Sequence, residues 1–382
     1  MHKKLLLICL LIAPNLFTAQ TVYKSLKSSK LGEERELKIQ LPRNYEQNKE
    51  KFYPVLIVLD GDYLFEPTAG NVDFYSYWED IPEMIVVGIN QSKSRDSDAF
   101  YDNERFLPSE TGANFFEFIG MELMTYLDSQ YRTAPFRVIM GHDYTSNFIN
   151  YYLLKESPLF QGYINISPDL APEMADRVVA ALAKSENKIW YYLATAEEDI
   201  PSLKEDILSF DNQLKNIKNE NLKYTFDNFP EGSHYTLAGK AIPKAMEQIF
   251  EVYRPISIFD YNRVLLQTSV SSYDYLVEKY ESIQTLFHVN KQIRLNDFMA
   301  VYNAIEKTEK WEELDDLSKL ADKHFPKTML ATYFEARFEE ETGNPKKAMR
   351  SYQKGYGQQP ISFLTTDFML EKADKIKQDF GY

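Results

Sequence analysis

The chain has 382 residues, 44% of them hydrophobic and 14% aromatic, and a net charge of −14. A chain of this size and composition can build a large core, and its length favours two domains over one. The acidic balance, with no basic stripe carrying interleaved aromatics, argues against a nucleic-acid partner, because such a surface repels phosphate backbones.

Residues 1–19 read as a secretory signal. Lys3 and Lys4 precede the apolar run Leu5 to Ile12, a break at Pro14 and the small residue Ala19. That run is shorter than the roughly 20 residues a membrane span requires. No later stretch approaches that length, so the mature protein is expected to be exported, periplasmic or secreted, with no membrane span. The single cysteine, Cys9, lies inside the signal. Its removal leaves no thiol for disulfides, nucleophilic attack or metal ligation.

Residues 22–41 alternate like an antiparallel edge hairpin. Tyr53 to Asp60 (YPVLIVLD) and Ile85 to Asn90 (IVVGIN) are Val- and Ile-rich runs that read as buried parallel strands. A helical period covers Asn114 to Tyr131, followed by a strand at Phe136 to Met140 and a helix from about Tyr144 to Lys155. Strands follow at Gly162 to Ile166 and Lys188 to Thr195, then a helix at Glu205 to Asn219. The strand Leu222 to Phe229, the Gly232-Ser233-His234 turn and the helix Leu237 to Tyr253 complete the series. This alternation predicts a doubly wound α/β sheet over residues 22–255.

Beyond Pro255 the strand runs stop, and residues 261–382 read as a charged, aromatic, α-helical domain. Within it Tyr333 to Tyr356 places Ala336 and Ala348 at helix-packing positions around a Gly343-Asn344-Pro345 turn. The pattern resembles one tetratricopeptide-like unit, and a generic helical hairpin fits it equally. This domain is a candidate for binding a protein partner.

The strand ending at Met140 runs through Gly141-His142-Asp143-Tyr144-Thr145 directly into a helix, the context of a nucleophile elbow. The turn needs small residues two before and two after the reacting position. Gly141 satisfies this, and Thr145 does so poorly. Together with Tyr53 to Phe65, Ile85 to Asn90, Arg95-Asp96, the LDSQYRT segment and Tyr163 to Pro168 (YINISP), the elbow resembles the Putative esterase family of α/β-hydrolases. That family includes esterase D, the enterochelin esterases and the mycolyltransferases, and the resemblance covers about residues 22–253.

The resemblance implies a histidine at His234, an acid in the loop Glu197-Glu198-Asp199 with Asp199 preferred and Glu198 second, and oxyanion amides at Tyr144 and at Gly61 or Asp62. It places the family's serine at Asp143. An aspartate cannot act as an alkoxide donor to an ester. The Gly-His-Asp-aromatic sequence also resembles epoxide hydrolases and haloalkane dehalogenases, whose aspartate attacks an sp³ carbon before a histidine activates water to release the product.

Two functions remain open: a hydrolase with an altered nucleophile acting on a small molecule, or an inactive hydrolase-fold scaffold that binds through its crevice or helical domain. In the scaffold reading Asp143 serves as a helix cap. Catalysis through Asp143 requires a His234 nitrogen within about 4 Å of the carboxylate, or one water away. His142 is expected in the core, and Ser167, Ser146 and Ser233 as local hydrogen-bonding groups. No histidine pair has zinc-ligand spacing, and no cofactor is implied. The cluster of Asp60, Asp62, Asp143 and the acidic loop at one sheet edge is expected to raise a carboxyl pKa or to attract a cation such as calcium or magnesium. Intact-mass measurement of the exported protein is expected to place its amino terminus near Gln20; a retained Met1 would refute the signal.

Overall fold

The computed structural model describes residues 21–267 and 269–382; the expected signal, residues 1–19, lies outside the described residues. Eight strands form one sheet: β1 (Thr21–Lys27), β2 (Glu34–Gln40), β3 (Tyr53–Val58), β4 (Ile85–Ile89), β5 (Thr133–His142), β6 (Gly162–Ile166), β7 (Ile189–Glu198) and β8 (Leu222–Ser233). Their order is β1-β2-β4-β3-β5-β6-β7-β8. β1 and β2 are the antiparallel edge hairpin, with Thr21 opposite Gln40, and β2 meets β4 antiparallel. Every other pairing is parallel. This is the α/β-hydrolase fold.

β3, β4 and β6 are buried along their whole length. That burial on both faces is why they read as continuous apolar runs and not as alternating ones. Helices cover each face: α1 (Gly61–Tyr77), α2 (Arg95–Asp98), α3 (Glu110–Glu117), α4 (Met124–Gln130), α5 (Tyr144–Ile149), α6 (Met174–Lys184), α7 (Pro201–Leu214) and α8 (Leu237–Ile249). α1 and α6 go beyond the sequence reading. Pro67 and Gly70 weaken the helical signal of α1, so its amphipathic face is hard to see. α5 ends sooner than expected and tightens into a 3₁₀ turn over Asn150–Tyr152. Asn150 is buried there, and its amide donates to Ser146 O and Asn165 Oδ1. α7 begins earlier than expected because Pro201 occupies its first turn, where the missing N–H is harmless.

After the short helix α9 (Ile258–Asp260), the carboxyl-terminal region is helical: α10 (Ser272–Phe287), α11 (Leu295–Thr308), α12 (Glu313–His324), α13 (Met329–Glu341), α14 (Pro345–Lys354) and α15 (Thr366–Phe380). α13 and α14 form the expected hairpin. Gly343, at φ 83°, supplies the left-handed turn residue, and Ala336 and Ala348 are fully buried. None of the described helices is long and apolar enough to cross a membrane.

The helical region shares its core with one face of the sheet. Phe287 of α10 packs edge-on to Phe136 of β5 at 5.0 Å and lies 5.7 Å from Trp190 of β7 and 5.1 Å from Phe250. All four rings belong to one buried cluster that continues through α11–α15. A single buried aromatic of this kind is worth about 3–5 kcal/mol against truncation. Phe287→Ala is therefore expected to lower the stability of the α/β part and the helical part together, by about 3–5 kcal/mol, in one urea transition. Two separated transitions, with the sheet unaffected, would show that the cores are independent.

Candidate functional site

The parallel strands deliver their chemistry at their carboxyl ends. β3 leads to Asp60 and Gly61, β5 to Asp143, β6 to Ser167, β7 to Asp199 and β8 to His234. An open α/β sheet places its ligand crevice at this edge.

Asp143 stands between β5 and α5 at φ 60°, ψ −122°, a conformation that is strained for any residue with a side chain. The turn is tight enough that a Cβ on Gly141 would lie 2.5 Å from the Thr145 backbone, so only glycine fits there. Thr145 stands where a second glycine was expected, and its hydroxyl explains why it fits. Its Oγ1 donates to Asp60 Oδ2 at 2.6 Å and accepts from the His142 amide at 3.0 Å. Asp143 occupies the N-cap position of α5, but its side chain makes no capping hydrogen bond. The capping role that the scaffold reading gives it is therefore not made through a side-chain hydrogen bond. At this φ and ψ the carboxylate turns toward Arg95, whose Nη1 lies 3.1 Å from Asp143 Oδ2.

The cation set among the carboxylates Asp60 and Asp143 is the guanidinium of Arg95. Its Nε donates to Asp60 Oδ1 at 2.7 Å, and its Nη2 donates to Asp60 Oδ2 at 3.3 Å and to the His142 carbonyl at 2.9 Å. Its plane lies over the Tyr144 ring at 5.4 Å. Such a fork suits guanidinium and not a point charge. Arg95-Asp96 is one of the segments that carry the family resemblance, but nothing in the local sequence gives Arg95 a role; the signal available for that was the unbalanced charge of Asp60 and Asp143.

His234 is buried and its Nδ1–H donates to Asp199 Oδ1 at 2.8 Å, with the Ser167 hydroxyl 3.1 Å from the same nitrogen. A neutral His234 then carries its lone pair on Nε2, as a general base does. Asp199 is buried, which by itself would raise its pKa. Hydrogen bonds from His234, Ser167, Thr195 and the Ile200 amide outweigh burial and bring it from 3.8 down to about 2. Glu198 is exposed and is not brought to His234; with Glu197 it belongs to the solvated part of the loop. Ser167 is fully buried at φ 43°, holding its hydroxyl against the His234–Asp199 pair.

His142 lies in the core, its ring 4.6 Å from that of His234. Its Nε2–H donates to the His234 carbonyl at 3.0 Å, leaving Nδ1 to accept from the Tyr63 hydroxyl at 2.9 Å. Burial, then the neighbouring His234, lower its pKa to about 4, so it is neutral near pH 7. Of the expected oxyanion amides, Gly61 and Tyr144 are each the first residue of a helix, where amides lack intrahelical acceptors. Asp62 has a further task that the sequence did not suggest: its carboxylate accepts from the amides of Gln91 and Ser92 at 2.6 and 2.9 Å and fixes the loop after β4. Asp169, whose amide reaches the Asp143 carbonyl at 3.3 Å, has its pKa raised by burial and then by the charges of Asp143 and Asp206.

The structure thus joins His234 to Asp199 and joins Asp143 to Arg95. The side-chain partners of His234 are Asp199 and Ser167; the Asp143 carboxylate is not among them.

The profile described as Putative esterase matches residues 28–237 of the chain. Among solved structures, an uncharacterised protein from Capnocytophaga ochracea DSM 7271 is 28% identical, with a TM-score of 0.86 over 94% of this chain and 100% of its own. An IroE-like serine hydrolase from Shewanella oneidensis is 21% identical, with a TM-score of 0.59 over 79% of this chain and 99% of its own. A BES protein from Bacillus cereus shares the fold at 18% identity, with a TM-score of 0.54 over 65% of this chain and 97% of its own. No curated protein matches the chain.

Because the folded state lowers the Asp199 pKa from 3.8 to about 2, its stabilisation is fully present above the unfolded value and is lost as pH falls through the folded one. Asp199→Asn is expected to cost about 2 kcal/mol near pH 6, shrinking between about pH 4 and pH 2. Urea midpoints across that range measure it, and a pH-independent difference would rule out an ionised Asp199 in the pair.

Proposed function

The chain belongs to the Putative esterase family, and from that premise we propose that it is an exported member whose hydrolase crevice binds its ligand without cleaving esters. The observation that carries this reading is the Asp143–Arg95 ion pair at 3.1 Å. In a serine hydrolase the elbow residue surrenders a proton to the histidine and attacks an acyl carbon. Here the elbow group is a carboxylate, not a hydroxyl, and it is held against a guanidinium that Asp60 already anchors. Such a pair lowers the nucleophilicity of the carboxylate and costs several kcal/mol to break where burial limits hydration.

The rim of the crevice supports binding of a molecule with a flat apolar face. Tyr63 and Tyr144, in the first turns of α1 and α5, and Ile200 and Tyr235, in the loops after β7 and β8, are each at least 42% exposed. Aromatic groups of this kind give contact area at small entropic cost. The carboxylates of Asp60, Asp143 and Asp169 disfavour an acidic ligand.

A second reading is supported by the retained His234–Asp199 pair and the strained elbow. In it the ligand displaces Arg95, Asp143 attacks an sp³ carbon and expels an alkoxide or halide, and water deprotonated at His234 Nε2 hydrolyses the resulting ester at its carbonyl carbon.

Wild-type protein is expected to show no hydrolysis of p-nitrophenyl acetate above background, and Asp143→Ser to gain some through the His234–Asp199 pair. His234→Gln, incubated with epoxides, haloalkanes and activated esters, is expected to give no mass adduct. An adduct on the peptide containing residues 141–145 would overturn the binding reading and establish covalent catalysis. Wild-type ester hydrolysis that persists in His234→Ala and is lost in Ser167→Ala would instead place the nucleophile at Ser167.

A further inference from the structure

At the amino ends of β3 and β4, away from the crevice, a groove of about 1440 Å³ runs between the β2–β3 loop, the end of α1 and the α10–α11 loop. Its walls include Arg43, Phe52, Tyr77, Glu83, Asn290 and Lys291. Phe52 and Tyr77 are 55% and 60% exposed. Tyr77 does not stand alone. Phe74, three residues before it, shares its helical face, and Trp78 follows directly as the residue that ends α1; Phe74 and Trp78 are each 59% exposed. Trp78 meets Tyr77 edge-on at 5.1 Å, and the Arg43 guanidinium lies over Tyr77 at 5.1 Å. Aromatic side chains grouped on the surface beside a groove mark a contact site, since solitary exposed rings would not gather there.

The charges of the groove identify what it takes. Arg43 is paired with Asp73, Lys51 with Glu83, Glu46 with Lys49, and Glu79 with both Lys291 and Arg294. A charged ligand would have to break one of these pairs to gain a partner. Besides apolar groups such as Leu41, Pro82 and Val289, the rest of the lining offers ring faces and the amides of Asn44, Gln47, Asn290 and Gln292, which interrupt the apolar surface. A long acyl chain would prefer uninterrupted apolar walls, whereas here the rings alternate with polar side chains. A pyranose has one face of C–H bonds that stacks on a ring and a rim of hydroxyls that both donate and accept, as amides do.

We propose that this groove binds a neutral oligosaccharide chain, with Phe52 and Tyr77 in its wall and Trp78 on the surface beside it as stacking platforms. The site lies apart from the crevice, so binding is independent of Asp143.

Affinity electrophoresis of the full chain through native gels containing soluble neutral polysaccharides tests this: hydroxyethylcellulose, arabinoxylan, galactomannan and starch, with polygalacturonate as the anionic comparison. Retardation by at least one neutral polymer is expected. Tyr77→Ala and Trp78→Ala should each weaken it by about tenfold, the upper range for a lost aromatic contact. Asp143→Asn should retain it. Both ring positions are exposed, so folding should persist, and circular dichroism checks this. Asn290→Ala provides a second variant that leaves the rings in place and should also weaken retardation. No retardation in any neutral gel, retardation by polygalacturonate alone, or retardation unchanged in all three groove variants would overturn the proposal. So would a concentration-dependent dimer in sedimentation that Trp78→Ala dissociates, because the aromatic face would then belong to a second copy of the chain.

Discussion

The crevice depends on one guanidinium. Asp60 is 2% exposed and Asp143 adjoins it, an arrangement that would be prohibitive without a counter-charge inside the same wall. Arg95 provides that charge with a geometry only arginine has. Two of its nitrogens grip Asp60, one reaches Asp143, and one of the first pair also holds the His142 carbonyl at the end of β5. The same fork therefore ties the β3 end, the elbow and the loop after β4 into one body. Thr145 completes it, since its hydroxyl donates to the Asp60 oxygen that faces the elbow. A glycine at that position would relieve crowding but leave Asp60 short of a donor. The aspartate at the elbow and the threonine two residues later are thus adjustments to the same buried charge.

The second constraint is the strain at the turn. Asp143 holds φ 60° and ψ −122° because Gly141 lets the α5 backbone approach and because its own amide donates to the Ile166 carbonyl at 3.1 Å. Strain of this kind persists only when neighbouring contacts fix it more strongly than the residue resists. The His234–Asp199 pair is equally well supported, with donors from Ser167, Thr195 and the Ile200 amide. The elbow and the His234–Asp199 pair are therefore each well built. They are joined through the His142 ring and the His234 carbonyl, not through the elbow carboxylate.

How much of this was legible in the sequence follows from which interactions are local. Buried parallel strands announce themselves as Val- and Ile-rich runs, so β3, β4 and β6 stood out within a residue or two. The elbow and the Gly232-Ser233-His234 turn were readable because strand, turn and helix follow one another directly. Asp199 was the preferred acid, and the structure gives it to His234 while leaving Glu198 in solvent. Arg95 was not assigned a role, since its partners are 35 and 48 residues away and no local pattern encodes them. The cap that the scaffold reading placed at Asp143 is absent for the same reason: a long-range ion pair holds the carboxylate that a helix start would otherwise claim. Asp62 was read as a source of an amide, while its carboxylate turned out to fasten a loop 29 residues on.

The boundary near Pro255 marks a change of secondary structure more than a division of the core. α10 enters the sheet's own hydrophobic layer, and Phe287 completes a ring cluster whose other members come from β5, β7 and the end of α8. A polar clamp reinforces this contact at the surface. Lys291 donates to the Tyr253 carbonyl at 2.8 Å and lies 3.7 Å over that ring, while Arg294 pairs with Glu79 at 3.2 Å. Burial lowers the Lys291 pKa to about 7, with Glu79 and Asp297 opposing that shift. A loop that carries such a lysine is held by the shape of its surroundings more than by charge. The α10–α11 loop is therefore fixed against the end of α1, and the groove between them is a feature of the folded unit as a whole. Neither the sheet nor the helices would form its two walls alone.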